Sequence, residues 1–267
     1  MPQIKIGTAG WDYKDWIGTF YPKFLDKSQH LEYYSRYFDI LEINSTFYNI
    51  PSTAMVENWN NRVPIHFRFI IKVWQNITHN LDDPELESYI TSFFSRLNPL
   101  KDKITAFLLQ FPPWFKFTDN HYRKLKSLLN DIPSENRYII ELRDNSWFKP
   151  EILSKIVRDK NIILGTTYKP DLKPYYYQDQ KNYYIRLIGD RALTVFNRIQ
   201  REQTKSIKEL NQKIKLLMNS RNIHEIFIIV NNHFAGFAPT SANELKKMFQ
   251  LPFRIFNTQK SLYDYLH

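Results

Sequence analysis

The chain has 267 residues, which is long for an ordinary domain but typical of a single α/β barrel. It contains no cysteine, which excludes disulfide bonds, thiolate metal sites and a cysteine nucleophile. Lys and Arg outnumber Asp and Glu by 37 to 27, and this net charge of +10 favours polyanionic partners, nucleic acid first, although a lysine-rich composition alone produces the same charge.

The first segment, MPQIKIGTAG, passes directly into an alternating strand pattern. It lacks the basic stretch and apolar run of a signal peptide. No segment approaches the roughly 20 apolar residues of a membrane helix. We therefore expect a soluble, cytoplasmic protein with no membrane association, and the sequence leaves its oligomeric state open.

Eight short apolar, strand-like segments follow one another along the chain. They cover residues 3–10, 40–46, 67–73, 105–111, 137–143, 161–167, 182–189 and 225–231. Helical periodicity predicts helices over 28–38, 84–97, 119–132, 149–160, 206–221 and 240–250. Strands alternating with helices indicate a parallel sheet, and eight such units in this length predict one (β/α)8 TIM-type barrel over residues 1–267. A doubly wound open sheet is the alternative.

The strand at 137–143 ends in two charged residues, Glu141 and Arg143. Because side chains alternate along a strand, these two lie on the same side, where burial without partners is costly. In a parallel barrel the carboxyl ends of the strands form the mouth where active sites lie. Polar residues end most of the other strands too, and aromatic residues and His79 follow them in loops. We therefore predict a mouth site of Trp11, Glu42, Asn44, Tyr48, Lys72, His79, Gln110, Glu141, Arg143, Trp147, Arg186, Asn232 and His233.

The residue types suggest roles within this site. Glu42 and Glu141 are candidates for a general acid and base. Lys72, Arg143 and Arg186 suit phosphate or carboxylate groups. Trp11, Tyr48 and Trp147 offer surfaces for stacking on a base or sugar. The alternative is that these charges neutralise one another in a structural ion-pair network.

Neither a metal nor a cofactor is expected. Only His79 and His233 fall at the predicted mouth, and the nearby Lys and Arg residues would compete electrostatically with a cation. The aromatic stretch KPDLKPYYYQD (169–179) replaces the helix expected between strands six and seven. It predicts either a flap that stacks on a ligand or a crossover that packs against the barrel.

Six motifs, in order, resemble the domain-of-unknown-function family 72, the YecE-like proteins: GTAGWDYKDWIGTFYP (7–22), EINSTFYNIPS (42–52), FRFIIKVWQNITH (67–79), LLQFPPWF (108–115), IELRDNSWF (140–148) and NNHFAGFAPTSA (231–242). The resemblance implies a TIM-type barrel distantly similar to endonuclease IV and xylose isomerase-like enzymes, and with it a suggested link to DNA binding or repair. By motif position it implies the mouth residues named above except Trp11, together with Phe47. Two departures limit it: Ile188 stands where the family's strand-seven pattern has His, and the zinc ligands of endonuclease IV are not reproduced.

Three functions remain open at this point. The first is a mouth that binds a phosphate-bearing ligand such as nucleic acid, with metal-independent hydrolase or lyase chemistry on Glu42 or Glu141 if it is an enzyme. The second is an enzyme acting on a small sugar or sugar phosphate. The third is a non-catalytic barrel that acts as an interaction partner. The fold does not decide among them.

Overall fold

Eight parallel strands close into a barrel in the computed structural model, which describes residues 2–157 and 161–256. Each strand pairs with the next one along the chain, and the last pairs with the first. The strands are β1 (Gln3–Ala9), β2 (Ile40–Ile43), β3 (Arg68–Lys72), β4 (Ile104–Gln110), β5 (Tyr138–Glu141), β6 (Ile162–Tyr168), β7 (Asn182–Leu187) and β8 (Glu225–Val230). The predicted barrel is confirmed, and the open, doubly wound sheet is excluded.

Helices connect most of the strands. They are α1 (His30–Ser35), α2 (Thr53–Arg62), α3 (Gln75–His79), α4 (Leu86–Arg96), α5 (Asp119–Asp131), α6 (Pro150–Val157), α7 (Thr204–Met218), α8 (Asn232–Ala235) and α9 (Ala238–Met248). All six predicted helices are present with shifted ends, and residues 158–160 of the fourth prediction lie outside the described residues. Within the two described ranges, no helix has the length and apolar character to span a bilayer.

Three helical segments, α2, α3 and α8, were not predicted from the sequence. The longest, α2, buries only Val56 and Trp59 and leaves the apolar Met55 exposed among its polar residues, so its helical periodicity is weak. Its start is fixed locally, because the Ser52 hydroxyl accepts a hydrogen bond from the Met55 amide at 3.2 Å. The other two are single turns at the mouth, of five and four residues, too short to give a periodic signal.

The barrel interior explains where the polar strand ends point. A buried apolar cluster fills its lower part, and its members come from alternate positions of the strands: Ala9, Ile40, Ile70, Ala106, Leu108, Ile139, Ile163, Tyr184, Phe227 and Ile229. The charged side chains lie two residues further along these strands. Because side chains alternate between the two faces of a strand, they share the inward face with the apolar cluster. Glu141, two residues after Ile139, therefore faces the barrel axis.

The crossover between β6 and β7 has no helix, as expected from its sequence. Tyr175 stacks on Phe148, with ring centroids 4.9 Å apart and planes 3° from parallel. Tyr176 and Tyr177 are buried in the outer core. This packing agrees with a crossover that lies against the barrel, and it leaves these three tyrosines unavailable as a stacking flap.

Candidate functional site

Five inward-facing polar residues form one layer at the carboxyl ends of the strands. They are Glu42 on β2, Lys72 on β3, Gln110 on β4, Glu141 on β5 and Arg186 on β7, and all are buried. Strand register brings some of them side by side, since Gln110 pairs directly with Glu141. These residues lie together above the apolar interior because they occupy alternate, inward-facing positions of their strands. The sequence alone could not establish which face of each strand points inward.

Arg186 bridges the two buried carboxyl groups across the barrel. Its Nη2 lies 2.5 Å from Oε1 of Glu42, and its Nη1 lies 3.2 Å from Oε2 of Glu141. The same Nη2 donates to Oδ1 of Asn44 at 3.1 Å. The hydroxyl of Tyr184, two residues earlier on β7, donates to the other oxygen of Glu42. The charges of Glu42, Glu141 and Arg186 are therefore paired, as burial requires.

Glu141 also accepts a hydrogen bond from Arg143, whose Nε lies 2.7 Å from Oε1. Burial alone would raise the pKa of Glu141, but Arg143, Arg186 and Lys72 outweigh it and lower this pKa to about 2. The carboxyl group is thus ionised throughout the neutral range. Both predicted acid–base residues are engaged by arginine, and Glu141 has no proton to donate near pH 7.

Arg186 is held in its charged form by its partners. Burial opposes the charge, but the carboxylates of Glu42 and Glu141 raise the pKa of Arg186 above its usual value. Its three contacts use the terminal nitrogens, and its Nε is buried without a hydrogen-bond partner. Arg186 is therefore largely neutralised, which makes it a weaker phosphate ligand than the sequence implied.

Lys72 differs from the other charged groups of this layer. It is 7 % exposed, and within the described ranges its amine has neither an ion pair nor a hydrogen bond. The Nζ atom lies 3.6 Å from the ring centroid of Phe47. Burial, reinforced by the charges of Arg186 and Arg143, lowers the pKa of Lys72 to about 7, although Glu141 and Glu42 oppose this effect.

A cleft of about 930 Å³ opens above this layer. Nine of the predicted site residues line it: Asn44, Tyr48, Lys72, His79, Gln110, Arg143, Arg186, Asn232 and His233. Glu42 and Glu141 lie beneath it and contact the arginines. The lining has five Lys or Arg residues and two Asp residues, so the cleft surface is cationic.

The two predicted histidines lie in the cleft, but in helical turns and not in extended loops. His79 ends α3, and burial together with the charges of Lys72 and Arg143 lowers its pKa to about 4, so its imidazole is neutral at neutral pH. His233 lies in α8, and burial lowers its pKa as well. Neither ring carries a positive charge that would attract an anion.

Asn232 has a mainly structural set of contacts. Its Oδ1 accepts hydrogen bonds from Trp16 Nε1 at 3.2 Å and from the Ala238 amide at 3.0 Å. These two donors fix the orientation of the side-chain amide, since only an oxygen can accept both. Its Nδ2 is then left buried without a hydrogen-bond partner.

Two predicted stacking residues lie outside the cleft. Trp147 is fully buried, its Nε1 donates to the Phe115 carbonyl at 2.6 Å, and its ring stacks on that of Phe115. With its one donor satisfied in the core, it has no surface left for a ligand. Trp11 lines a separate pocket, against Trp59 at a centroid distance of 6.0 Å.

Sequence reasoning missed several residues of the mouth. Tyr184 could have been found from its spacing, because it precedes Arg186 by two on the same face of β7. Arg191 lines the cleft from an irregular segment, which carries no periodic signal, whereas Lys169 belongs to the stretch that the sequence predicted as a flap or crossover. Throughout residues 2–157 and 161–256, no group of three His, Asp or Glu side chains is placed to hold a metal ion.

Two curated proteins are similar in sequence to about half of this chain. UPF0759 protein YunF of Bacillus subtilis is 33% identical over 156 residues, which cover 55% of this chain and 53% of YunF. UPF0759 protein YecE of Escherichia coli K12 is 28% identical over 145 residues, 54% of this chain and 50% of YecE. The chain thus spans about half the length of the curated relatives it matches.

Solved structures extend the similarity to nearly the whole chain. A DUF72 family protein of Thermotoga maritima MSB8 has a TM-score of 0.75 and 26% identity, covering 93% of this chain and 99% of that one. A DUF72 family protein of Enterococcus faecalis V583 has the same TM-score of 0.75 at 22% identity, over 97% and 100% of the two chains, which shows the fold alone. The pattern described as "Protein of unknown function DUF72" matches residues 5–262, and the chain therefore belongs to the DUF72 family.

Proposed function

We propose that the cleft binds a phosphate-bearing ligand, with nucleic acid as the first candidate and Arg143 as the main phosphate contact. The observation that supports this is that Arg143 keeps unused hydrogen-bond donors in the mouth. Arg186 forms ion pairs with Glu42 and Glu141. Within the described residues, Arg143 contacts Glu141 through its Nε alone. The terminal N–H groups of Arg143 remain for a ligand, and guanidinium groups suit phosphate geometry.

The rim of the cleft adds charge and flat surfaces. Arg191 lines it, as does Lys169, which pairs with Asp171 at 2.6 Å, and Tyr48 in the same lining is 62% exposed. Trp114, 56% exposed, contacts the ring of His79 edge-on at 6.3 Å. Cationic side chains interleaved with exposed aromatic rings are typical of surfaces that hold single-stranded nucleic acid by its backbone and its bases.

The test is fluorescence anisotropy across a salt series, with labelled single-stranded DNA, duplex DNA and duplex with an abasic site. Arg143→Gln is compared with Arg137→Gln, which lies just before the opposite end of the same strand and pairs there with Glu225. We expect Arg143→Gln to weaken binding about tenfold or more, the usual effect of losing a hydrogen bond to a charged group. Equal losses in both variants, or none, would contradict a phosphate site in the cleft.

A small phosphorylated sugar is the second candidate, and the size of the cleft favours it. Its volume of about 930 Å³ lies within the roughly 300–1,000 Å³ of small-molecule sites. Titration calorimetry with ribose 5-phosphate distinguishes this case, because such a ligand would bind in the absence of any polynucleotide and would still depend on Arg143. Binding of DNA but of no sugar phosphate would leave nucleic acid as the ligand.

A further inference from the structure

We propose that Lys72 is a nucleophile that captures the carbonyl group of a phosphorylated sugar as an imine. The inference rests on the proposed function, because it assigns the phosphate to Arg143 and the carbonyl end of the same ligand to Lys72. Both side chains line the one cleft, and Lys72 lies in the buried layer beneath it. Open-chain sugar phosphates and abasic DNA both carry an aldehyde near a phosphate, so either could supply this carbonyl group.

The first argument is the environment of the Lys72 amine. A structural lysine at this depth is normally paired, as Lys103 and Lys246 show by donating to backbone carbonyls at 2.6 and 2.9 Å. The amine of Lys72 has no such partner among the described residues and rests against the Phe47 ring. Its position leaves the nitrogen free to react with whatever occupies the cleft.

The second argument is electrostatic. The charged groups facing Lys72 are Arg186 on β7, Arg143 after β5, Glu141 on β5 and Glu42 on β2. Because the two carboxyl groups are taken up by the arginines, desolvation and the positive neighbours dominate. The pKa of Lys72 is lowered to about 7, which leaves roughly a thousand times more free amine at pH 7 than an ordinary lysine has.

The step itself balances without any further reactant. The Lys72 nitrogen attacks the carbonyl carbon, the C=O π electrons move to oxygen, and one proton passes from the nitrogen to that oxygen through solvent water to give a neutral carbinolamine. Loss of that oxygen as water, after a second proton is added, leaves the C=N bond of a protonated imine. His79 lies edge-on to the Phe47 ring at 5.3 Å, but its pKa of about 4 leaves it neutral, so solvent water and not this imidazole supplies the second proton.

The test is reductive trapping with sodium cyanoborohydride, which converts an imine into a stable secondary amine. Ribose 5-phosphate and an oligonucleotide with an aldehydic abasic site are the two probes, and peptide mass mapping locates the adduct. We expect the adduct on Lys72 and a loss of about tenfold or more in Lys72→Arg, because arginine keeps the charge but is not a nucleophile. Lys246→Arg, at a buried lysine far from the cleft, is the matched control. The probe that is trapped more efficiently identifies the source of the aldehyde.

Two further readouts separate this inference from the proposed function. Ribitol 5-phosphate and a tetrahydrofuran abasic oligonucleotide carry phosphate but no carbonyl, so they report binding alone. If they bind and the aldehyde probes are not trapped at Lys72, the imine is overturned and phosphate binding stands. If unphosphorylated ribose is trapped at Lys72 as efficiently as ribose 5-phosphate, and ribitol 5-phosphate does not bind, phosphate recognition fails and carbonyl capture stands. Adducts spread over surface lysines and unchanged by Lys72→Arg would overturn the imine outright.

A pH series adds a signature that a purely structural lysine would not give. Trapping at Lys72 should level off just above pH 7, because its amine is by then largely unprotonated. Trapping at exposed lysines should keep rising toward their ordinary pKa near 10.4. Parallel profiles at Lys72 and at exposed lysines would contradict the proposed reactivity.

Discussion

Glu141 is a buried anion held between two arginines, and the stability of the mouth depends on all three groups. Arg143 and Arg186 each contact a different oxygen of its carboxyl group. Their charges overcome the cost of burial and lower its pKa to about 2. Removing the anion leaves two cations close together in a region of low dielectric, which is costlier than losing an exposed ion pair.

We predict that Glu141→Gln lowers the free energy of unfolding by on the order of 3 kcal/mol at pH 7. Since the folded pKa of about 2 lies below the ordinary value of 4.5, this contribution is present above about pH 4.5 and is lost as the pH falls toward 2. Urea unfolding at pH 7 and at pH 3 measures it, with the exposed Glu87→Gln as control. A difference between Glu141→Gln and the natural protein that does not shrink at pH 3 would contradict this assignment.

At the scale of elements, β1 and β2 approach each other closely at Gly7. A Cβ atom at this position would overlap the carbonyl oxygen of Ile40 and lie 2.9 Å from its carbon. These atoms belong to the backbone of β2, which is fixed in the barrel and has no freedom to move aside. At Gly165 on β6, by contrast, the atoms nearest to an added methyl group would lie at 3.3 Å, and two of the three belong to side chains.

We predict that Gly7→Ala destabilises the barrel by about 3 kcal/mol or more, the upper range for overpacking a core. Gly165→Ala is the matched control on another strand and should cost clearly less, because its neighbours need to yield only a few tenths of an ångström. Thermal unfolding of both variants measures the two losses of stability. A Gly7→Ala protein as stable as Gly165→Ala would mean that β1 and β2 separate easily.

At the scale of the whole molecule, the charge of +10 acts in two different ways. Exposed lysines on the outside of the barrel create a long-range field that attracts any polyanion and is screened by salt. The cations in the cleft act at contact distance on one ligand. Helix α7 carries three exposed lysines, Lys205, Lys208 and Lys215, on the outer surface and away from the cleft lining.

We predict that replacing these three lysines of α7 by glutamine weakens low-salt binding of duplex DNA severalfold and reduces its salt dependence. Affinity for ribose 5-phosphate should not change, because the substitutions leave the cleft intact. Arg143→Gln, by contrast, should weaken the binding of ribose 5-phosphate. Anisotropy for DNA and calorimetry for the sugar phosphate give the two affinities. Parallel losses for both ligands in the α7 variant would mean that the general field, and not the cleft, holds them.

The sequence by itself determined the barrel and the end of it that carries the polar residues. Strand segments have a local signature, and eight of them alternating with helices leave few topologies. Alternation also placed Glu141 and Arg143 on one side of their strand, although it did not show that this side faces the barrel axis. Helix α2 was not predicted, because its helical periodicity is too weak to be recognised from the local sequence.

Only the tertiary structure decided which charges neutralise one another. Arg186 is 144 residues from Glu42 and 45 from Glu141, and barrel closure brings the three together. Among the residues that the structure describes, this pairing leaves the Lys72 amine and the terminal nitrogens of Arg143 without protein partners, a difference that sequence cannot show among four similar charged strand ends. The tertiary structure also decided that Trp147 packs in the core while Tyr48 faces the cleft. The direction of a loop residue's side chain is set by packing and not by a periodic pattern.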